Sequence, residues 1–343
     1  MTRFFSQPVV RQTRKRLARI VNTGLARTVY RRRRIVHLEL TGKCDLSCRA
    51  CYRSGSLRRF MDAGAVMSME DVGTILSSYE ESEVGAFVLS GGENLMHPQF
   101  FEIVRSIKER FPSRPITLST NGTILCKDRD VLMTLCSSEI DEIQFSLHGA
   151  RQETVSLLQR GIDLGAVLEA MTFVGEHSNA SVNVNFVVQE ENADEMVAFV
   201  DLIASTPVRS ITFTPMNFAG HTEAEVDYEA LWTKMGLREK LAAAYAAGDA
   251  AGVGVFRLDD LRCVSLYSVD VVTATGAMLP CWGNYLSRKH AMGNALAERP
   301  SVIRKKPAFR SLQRELKRGE VPAMCLACWS NGKYGLNGVR SDS

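Results

Sequence analysis

From residue 35 to residue 217 the chain alternates between short apolar runs and segments with apolar residues at helical spacing. Six runs have the length and composition of buried strands: residues 35–40, 85–92, 115–122, 141–149, 181–189 and 209–216. The helical segments between them are residues 68–81, 98–111, 129–138, 165–177 and 192–205. This alternation predicts parallel strands joined by right-handed crossovers. Six units are too few for a closed eightfold barrel, so we expect an α/β fold with a partial, open (β/α)6 TIM-like barrel.

The pattern changes at both ends of this region. Residues 226–248 read as one long helix, and beyond Val253 the chain is irregular and rich in cysteine. At the other end, apolar residues recur at helical spacing among arginines: Leu17, Ile20, Val21, Leu25 and Val29. The sequence therefore predicts four parts, which are a basic amphipathic N-terminal arm (1–34), the barrel (35–220), a linker helix (221–255) and a small cysteine-rich domain (256–343).

Charge is unevenly distributed along the chain. Of the 42 Lys and Arg residues, eleven lie in residues 1–38, which hold no Asp or Glu, so the rest carries 31 basic and 38 acidic residues. A mildly acidic main body argues against a nucleic-acid partner. No apolar run is long enough to span a bilayer. Nine cysteines without a secretory signal indicate a reducing, cytoplasmic compartment, where cysteines serve as metal ligands or catalytic groups.

The basic arm has three interpretations. A basic amphipathic helix can lie peripherally on an anionic membrane, and residues 1–34 have that pattern. The same segment can instead pack on the barrel with a solvated outer face. An arginine-rich start without acids is also typical of an organellar transit peptide, which is less favoured because the segment runs almost directly into the first strand.

Three cysteines follow the first predicted strand in the stretch TGKCDLSCRACYR. Cys44, Cys48 and Cys51 have the spacing C-x3-C-x2-C, and no fourth cysteine lies close by. Three thiolates can hold three irons of a [4Fe–4S] cluster and leave the fourth iron open to a small-molecule ligand. The alternative is a structural zinc site completed by a distant residue.

Further polar motifs follow the next three predicted strands. They are SGGEN with Gly91, Gly92 and Glu93, STNG with Ser119 and Asn121, and SLHG with Ser146 and His148. The carboxyl ends of parallel strands meet at one edge of a barrel, where ligands bind. Taken alone, the Gly-Gly-Glu segment favours an ordinary strand-to-helix turn, and His148 is more typical of a structural histidine.

Together these motifs resemble the radical S-adenosylmethionine (SAM) enzymes over roughly residues 35–217. CDLSCRACY matches their cluster loop in spacing and in the aromatic Tyr52 after the third cysteine, and SGGEN matches their Gly-Gly-Glu segment. The resemblance implies that SAM chelates the open iron and is cleaved to a radical that abstracts hydrogen from a substrate. It assigns cofactor contacts to Tyr52, Gly91, Gly92, Glu93, Ser119, Asn121, Ser146 and His148.

The chain departs from that family pattern at two positions. Asn94 stands where many relatives have proline, and His148 stands where relatives often have aspartate. The resemblance implies that Glu93 accepts hydrogen bonds from the methionine ammonium of SAM. His148 is either a substrate contact, a cofactor contact or a structural residue.

Four more cysteines lie near the C-terminus. Cys263, Gly276 and Cys281 form a C-x12-G-x4-C pattern, and Cys325 and Cys328 form C-x2-C. The glycine suits a hairpin turn that brings the first two cysteines together. Two such pairs supply four thiolates, which is a full ligand set for one zinc ion or one [4Fe–4S] cluster.

This C-terminal pattern resembles the SPASM and twitch extensions of radical SAM enzymes. After three cluster cysteines and these four, only Cys126 and Cys136 remain, so one auxiliary [4Fe–4S] cluster and the shorter twitch form are expected. The layout is similar to that of the aminocyclitol dehydrogenases of butirosin biosynthesis. The resemblance implies an electron-transfer role for the second cluster, with a purely structural cluster as the alternative.

The expected activity is therefore hydrogen abstraction from a sugar, aminocyclitol or nucleoside, followed by dehydrogenation or epimerisation. A thiol at Cys126 is the candidate hydrogen donor for epimerisation, although a buried or incidental cysteine is favoured there. A reducing partner such as flavodoxin or ferredoxin is implied. The alternatives are a peptide maturase, an enzyme acting on a lipid-linked substrate at a membrane, and a zinc-stabilised binding protein.

Overall fold

The computed structural model describes residues 33–54, 63–222, 224–256, 265–282 and 288–329. The strands, in chain order, are β1 (Arg34–Leu38), β2 (Ser47–Cys48), β3 (Val84–Leu89), β4 (Ile116–Thr120), β5 (Glu142–Ser146), β6 (Gln159–Arg160), β7 (Ser181–Val188), β8 (Ser210–Pro215), β9 (Gly254–Phe256), β10 (Val269–Val272), β11 (Ala277–Leu279) and β12 (Gly293–Asn294).

The helices alternate with the central strands. They are α1 (Met69–Ser77), α2 (Phe100–Arg110), α3 (Thr123–Lys127), α4 (Arg129–Cys136), α5 (Gln152–Leu158), α6 (Leu164–His177), α7 (Met196–Ala204), α8 (Tyr228–Met235), α9 (Leu237–Ala251), α10 (Ser265–Ser268), α11 (Pro300–Ile303) and α12 (Pro307–Lys317). Helix α1 begins at Ser68, whose hydroxyl accepts from the Asp71 N–H in a capping box.

Ten strands form one sheet in the order β12-β11-β10-β1-β3-β4-β5-β7-β8-β9. All pairs from β10–β1 through β8–β9 are parallel. The six predicted strands are β1, β3, β4, β5, β7 and β8, and they are neighbours in that order. The expectation of a partial TIM-like barrel with a parallel core is therefore confirmed.

Side chains alternate along each central strand because successive residues point to opposite faces. Strand β7 has four buried valine and phenylalanine positions, Val182, Val184, Phe186 and Val188, which join the same apolar core as the inward faces of the helices. The intervening residues face away from the helices and are half-buried. The helices thus cover one face of the sheet, and the opposite face is the inner wall of the open barrel.

The C-terminal hairpin extends the barrel sheet. Strand β10 lies parallel beside β1, and β11 returns antiparallel to it through a turn in which Gly276 has a φ of 77°. Only glycine adopts that angle without strain. Asp270 of β10 is fully buried, and its carboxylate accepts from the guanidinium of Arg34 at 2.8 Å and also pairs with Arg304.

The linker helix predicted for residues 221–255 is divided in the structure. Gly236 has a φ of 58° and ends α8, and α9 begins at the next residue. A glycine in the left-handed conformation is a common helix terminator, so the single-helix prediction was wrong at this point. The predicted strands missed β9, which adds three residues to the edge of the sheet beside β8.

Two predictions lie wholly or partly outside the described residues. The basic arm falls almost entirely in residues 1–32, and Cys263 falls in residues 257–264. Among the described helices, none is both long enough and apolar enough to cross a bilayer.

Candidate functional site

The cysteine loop is held by the segment that follows β3. The N–H of Gly92 donates to the Thr41 carbonyl at 3.1 Å, and the N–H of Glu93 donates to the Lys43 carbonyl at 2.7 Å. A Cβ atom on Gly92 would lie 2.1 Å from the Lys43 carbonyl oxygen. No side chain fits there, so the second glycine of SGGEN serves a close backbone approach. That approach is to the cysteine loop itself.

The three cysteines of the loop lie together. The Cys51 N–H donates to the Cys48 carbonyl at 3.2 Å, and Cys48 lies in β2, which pairs with Gln159 of β6. Burial raises the pKa of the Cys48 thiol to about 12, and the charges of Cys51 and Cys44 add to the shift. All three thiols belong to eight consecutive residues of one loop. Cation binding relieves such repulsion because a metal ion holds thiols deprotonated.

Asp45 connects the loop to the end of β4. Its carboxylate accepts from Asn121 Nδ2 at 3.1 Å, from Thr123 Oγ1 at 2.6 Å and from Lys127 Nζ at 3.1 Å. Burial opposes ionisation of Asp45, but these three donors outweigh it and lower its pKa. Asn121 Nδ2 also lies 3.8 Å from Cys44 Sγ. The predicted residue Asn121 therefore contacts the cysteine loop directly.

Glu93 is buried at the same edge of the barrel. Its carboxylate accepts from the Asn121 N–H at 2.8 Å, from Thr120 Oγ1 at 3.0 Å and from the Leu95 N–H at 3.2 Å. Burial raises its pKa to about 7, although all three donors act in the opposite direction. A carboxyl group with a pKa of about 7 is only partly ionised at neutral pH, and a cation that binds beside it favours the ionised form.

Tyr52, directly after Cys51, connects the cysteine loop to Gly91. Its hydroxyl donates to the Gly91 carbonyl at 3.2 Å, and burial raises its pKa well above the usual value. Arg53, the next residue, pairs with Glu39 at 3.1 Å, and Glu39 also accepts from the Ala274 N–H at 3.3 Å. This chain of contacts ties the cysteine loop to the C-terminal hairpin.

Three other predicted residues lie at or near strand ends. Ser119 and Ser146 are half-buried on the inner wall. His148 is half-buried, its Nδ1 accepts from the Val187 N–H at 3.2 Å, and loss of hydration around the ring lowers its pKa to about 4. That placement favours the structural interpretation of His148. Cofactor contacts by all three residues stay predictions.

Cys126 lies on the exposed side of α3. Its thiol donates to the Gly122 carbonyl at 3.3 Å. This placement favours an incidental cysteine over a hydrogen donor. Cys136, at the end of α4, packs partly against the apolar core.

The described C-terminal cysteines are Cys281, Cys325 and Cys328, and the last of them lies beside the segment that follows β8. Cys281 is buried just after β11, and the Cys328 N–H donates to the Cys325 carbonyl at 3.0 Å. Asn217, two residues after β8, lies with its Nδ2 at 3.4 Å from Cys328 Sγ. The sequence analysis missed this asparagine because its partner is more than a hundred residues away.

A second missed residue is His221. Its Nε2 lies 3.0 Å from the Ala50 carbonyl oxygen, one residue before Cys51. The segment from Asn217 to His221 therefore contacts both cysteine groups. Asp45 and Thr123 were also missed, although Asp45 follows Cys44 and Thr123 lies two residues after Asn121. Single polar residues in a loop give no periodic signal in the sequence.

The residues present fit an iron–sulfur cluster with one open iron. Three thiols lie together on one loop, and a buried carboxyl and several strand-end polar groups border it. Among the described residues, no three His, Cys, Asp or Glu side chains converge as the ligands of a single metal ion would. The donor set of Cys44, Cys48 and Cys51 matches the three-thiolate ligation of a [4Fe–4S] cluster.

Comparison with known proteins agrees with this geometry. Residues 38–203 match the family model described as Radical SAM superfamily. A GTP 3′,8-cyclase from Limosilactobacillus fermentum is 25% identical over 222 residues, which cover 64% of this chain and 65% of the relative. The chain thus spans slightly less than two thirds of that curated relative.

Two solved structures share the fold. Streptococcus suis SuiB bound to the precursor peptide SuiA aligns with a TM-score of 0.67 at 14% identity, over 100% of this chain and 80% of SuiB. BtrN in complex with AdoMet and 2-DOIA aligns with a TM-score of 0.51 at 16% identity, over 86% of this chain and 92% of BtrN. Residues 38–203, with the cysteine loop at the strand ends, thus match the model of the Radical SAM superfamily, and the fold is shared with both solved structures.

Proposed function

We propose that this chain cleaves SAM reductively and abstracts hydrogen from a small polyhydroxylated substrate, with dehydrogenation or epimerisation as the outcome. The observation that carries the proposal is the clamped loop, in which Gly92 and Glu93 hold three neighbouring cysteines against the strand ends. A sugar, an aminocyclitol or a nucleoside is the substrate class.

The chain's own residues would hold the cofactors as follows. Cys44, Cys48 and Cys51 would ligate the cluster, and Glu93 would accept the methionine ammonium of SAM, a charge-assisted contact that keeps the carboxyl ionised. Bound there, the cluster and SAM supply a deoxyadenosyl radical. Four further side chains would contact SAM and help to exclude water from it, namely those of Tyr52, Ser119, Asn121 and Ser146.

We further propose a second [4Fe–4S] cluster on Cys263, Cys281, Cys325 and Cys328 in a twitch-type arrangement. Cys281, Cys325 and Cys328 lie in the described part of the chain, and Asn217, just after β8, contacts Cys328. A fully thiolate-ligated cluster has no open iron, so its role would be electron transfer from the substrate radical. Reduction of the first cluster would come from a flavodoxin or ferredoxin.

Two alternatives have specific support. The curated relative named GTP 3′,8-cyclase favours a nucleotide substrate, and the fold shared with peptide-bound SuiB favours a peptide substrate. Contact of residues 1–34 with a membrane stays a prediction. It is tested by liposome binding of the full chain and of a chain lacking residues 1–34.

The proposed function is tested on anaerobically purified protein. We expect about eight irons with matching sulfide per chain, four for each cluster, and release of 5′-deoxyadenosine on addition of SAM and dithionite. Zinc without acid-labile sulfide would reject the proposal. A product with two hydrogens fewer than the substrate marks a dehydrogenase. Incorporation of solvent deuterium into the product marks an epimerase.

A further inference from the structure

The inner wall of the barrel carries neutral polar side chains. Helices cover the other face of β4, β5, β7 and β8 through one apolar core. On the inner face the residues alternate with that core and are half-buried. We define the polar wall as Gln144, Asn183, Asn185, Ser210, Thr212 and Thr214.

The sheet register places these side chains in rows across the barrel. One row runs from Ser119 through Gln144 and Asn183 to Ser210. The next runs from Ser146 through Asn185 to Thr212. Partners in such rows lie about 5 Å apart. The polar wall is therefore continuous with Ser119 and Ser146, the serines expected to face the cofactor.

Hydrogen bonds between the strands orient the two asparagines. Ser210 Oγ donates to Asn183 Oδ1 at 2.6 Å, and Thr214 Oγ1 donates to Asn185 Oδ1 at 2.8 Å. With each amide oxygen occupied, the amide nitrogen is the group directed to other partners. Asn183 uses its nitrogen on the carboxyl of Glu142. The NH2 of Asn185 is left as a donor toward the barrel interior.

The polar wall carries no positive charge. Among the inner-face positions of β4, β5, β7 and β8, Glu142 is the one ionisable residue. Recognition of phosphate groups relies on Arg, Lys or helix N-termini. A row of amides and hydroxyls instead matches hydroxyl and carbonyl oxygens, and a purely apolar ligand would leave those groups unpaired.

We propose that the polar wall binds an uncharged, hydroxyl-rich part of the substrate, with Asn185 donating to one of its oxygens. This rests on the proposed function and narrows it to a sugar, cyclitol or nucleoside moiety without phosphate on this face. Asn185 is a specificity-determining residue, and Thr214 positions its amide. The triphosphate of a nucleotide is not accommodated by the polar wall.

The test uses ligand-observed NMR on the anaerobic full chain loaded with SAM. The probes are matched pairs at millimolar concentration, namely glucosamine and glucosamine 6-phosphate, myo-inositol and its monophosphate, and guanosine and GTP. We expect the unphosphorylated member of at least one pair to bind more tightly than its partner. We expect Asn185→Ala to weaken that binding by about tenfold, since one oriented hydrogen bond is lost.

Two further variants keep the test decisive. Asn179→Ala, in an exposed loop before β7, is the matched control and should bind like the wild type. Thr212→Lys places a cation on the polar wall and should reverse the preference toward the phosphorylated member. It remains informative if Asn185→Ala fails to fold.

Three results would overturn the proposal. They are tighter binding of the phosphorylated members by the wild type, equal binding by wild type and a folded Asn185→Ala variant, and no binding by any unphosphorylated probe. Release of 5′-deoxyadenosine with dithionite is measured on the same samples. Its absence rejects the radical SAM function, whereas its presence with any of these three results rejects the polar wall alone.

Discussion

The two cysteine groups of this chain are built in different ways. Cys44, Cys48 and Cys51 come from eight consecutive residues, and backbone hydrogen bonds from Gly92 and Glu93 hold their loop. Cys281, Cys325 and Cys328 come from a hairpin and a distant turn, and Asn217 contacts the last of them. A local ligand set needs little chain closure, whereas a distributed one depends on tertiary packing. We therefore expect the first group to survive damage that destroys the second.

Removing one cysteine from each group should distinguish the two groups most strongly. Cys48→Ala should abolish SAM cleavage. Removal of a residue that only supports a metal ligand lowers activity by up to roughly 100-fold, and we expect loss of a ligand to lower the cleavage rate by more than that. Cys328→Ala should lower iron by about half while the electron paramagnetic resonance signal of the first cluster persists. Iron analysis and the spectrum of both variants check this. Loss of both signals in Cys328→Ala would show that the groups do not form independently.

The backbone hydrogen bonds from Gly92 and Glu93 clamp the loop of Cys44, Cys48 and Cys51, and Gly92→Ala should break this clamp. The added methyl group meets the Lys43 carbonyl oxygen at 2.1 Å, so we expect a loss of about 3 kcal/mol in the free energy of unfolding. Gly73→Ala in α1 meets nothing within 4 Å and should gain about 0.5 to 1 kcal/mol. Denaturant unfolding of the cluster-free protein measures both. Equal stabilities would contradict the clamp.

The pH dependence of stability reports on the buried carboxyl beside the clamp. The pKa of Glu93 is about 7 in the folded chain and 4.5 in the unfolded chain, so the folded state binds more protons between these values. The contribution of Glu93 to the free energy of unfolding is favourable near pH 4.5 and is lost as pH rises through 7. The total change is about 3 kcal/mol.

The matched comparison for that range is Glu93→Gln. Burial lowers the pKa of His37 to about 3 and that of His148 to about 4, and both histidines destabilise the folded chain as pH falls below 6.5. The net profile of the wild type therefore mixes these histidines with Glu93. The difference between wild type and Glu93→Gln isolates the carboxyl group. A difference independent of pH from 4.5 to 7 would show that Glu93 is not buried as described.

A weaker effect is expected from Asn217, which contacts the C-terminal cysteine group. Asn217→Asp keeps the acceptor that receives the Ala219 N–H at 3.0 Å but removes the N–H donor to Cys328 Sγ. We expect a loss of about 1 kcal/mol in stability and a lower reduction potential of the second cluster, because hydrogen bonds to sulfur raise it. A potentiometric titration that shows no shift would remove Asn217 from the environment of that cluster.

Much of this fold is predictable from local sequence signals. Alternation of four apolar residues in β7 is a local signal, and so are the Ser68 cap of α1 and the turn at Gly276. The division of the linker at Gly236 was missed because one glycine within a long helical pattern is ambiguous until its backbone angle is known. The contacts of Asn217 and His221 have no sequence signal at all.

The six-strand alternation, the cysteine spacing and the strand-end motifs were predictable without a structure, because each depends on residues close together along the chain. Three features required the folded chain: Gly92 contacts the cysteine loop, Asp45 bonds to Asn121 and β10 joins the sheet beside β1. Those facts depend on strand register and on the meeting of distant segments, which spacing does not encode.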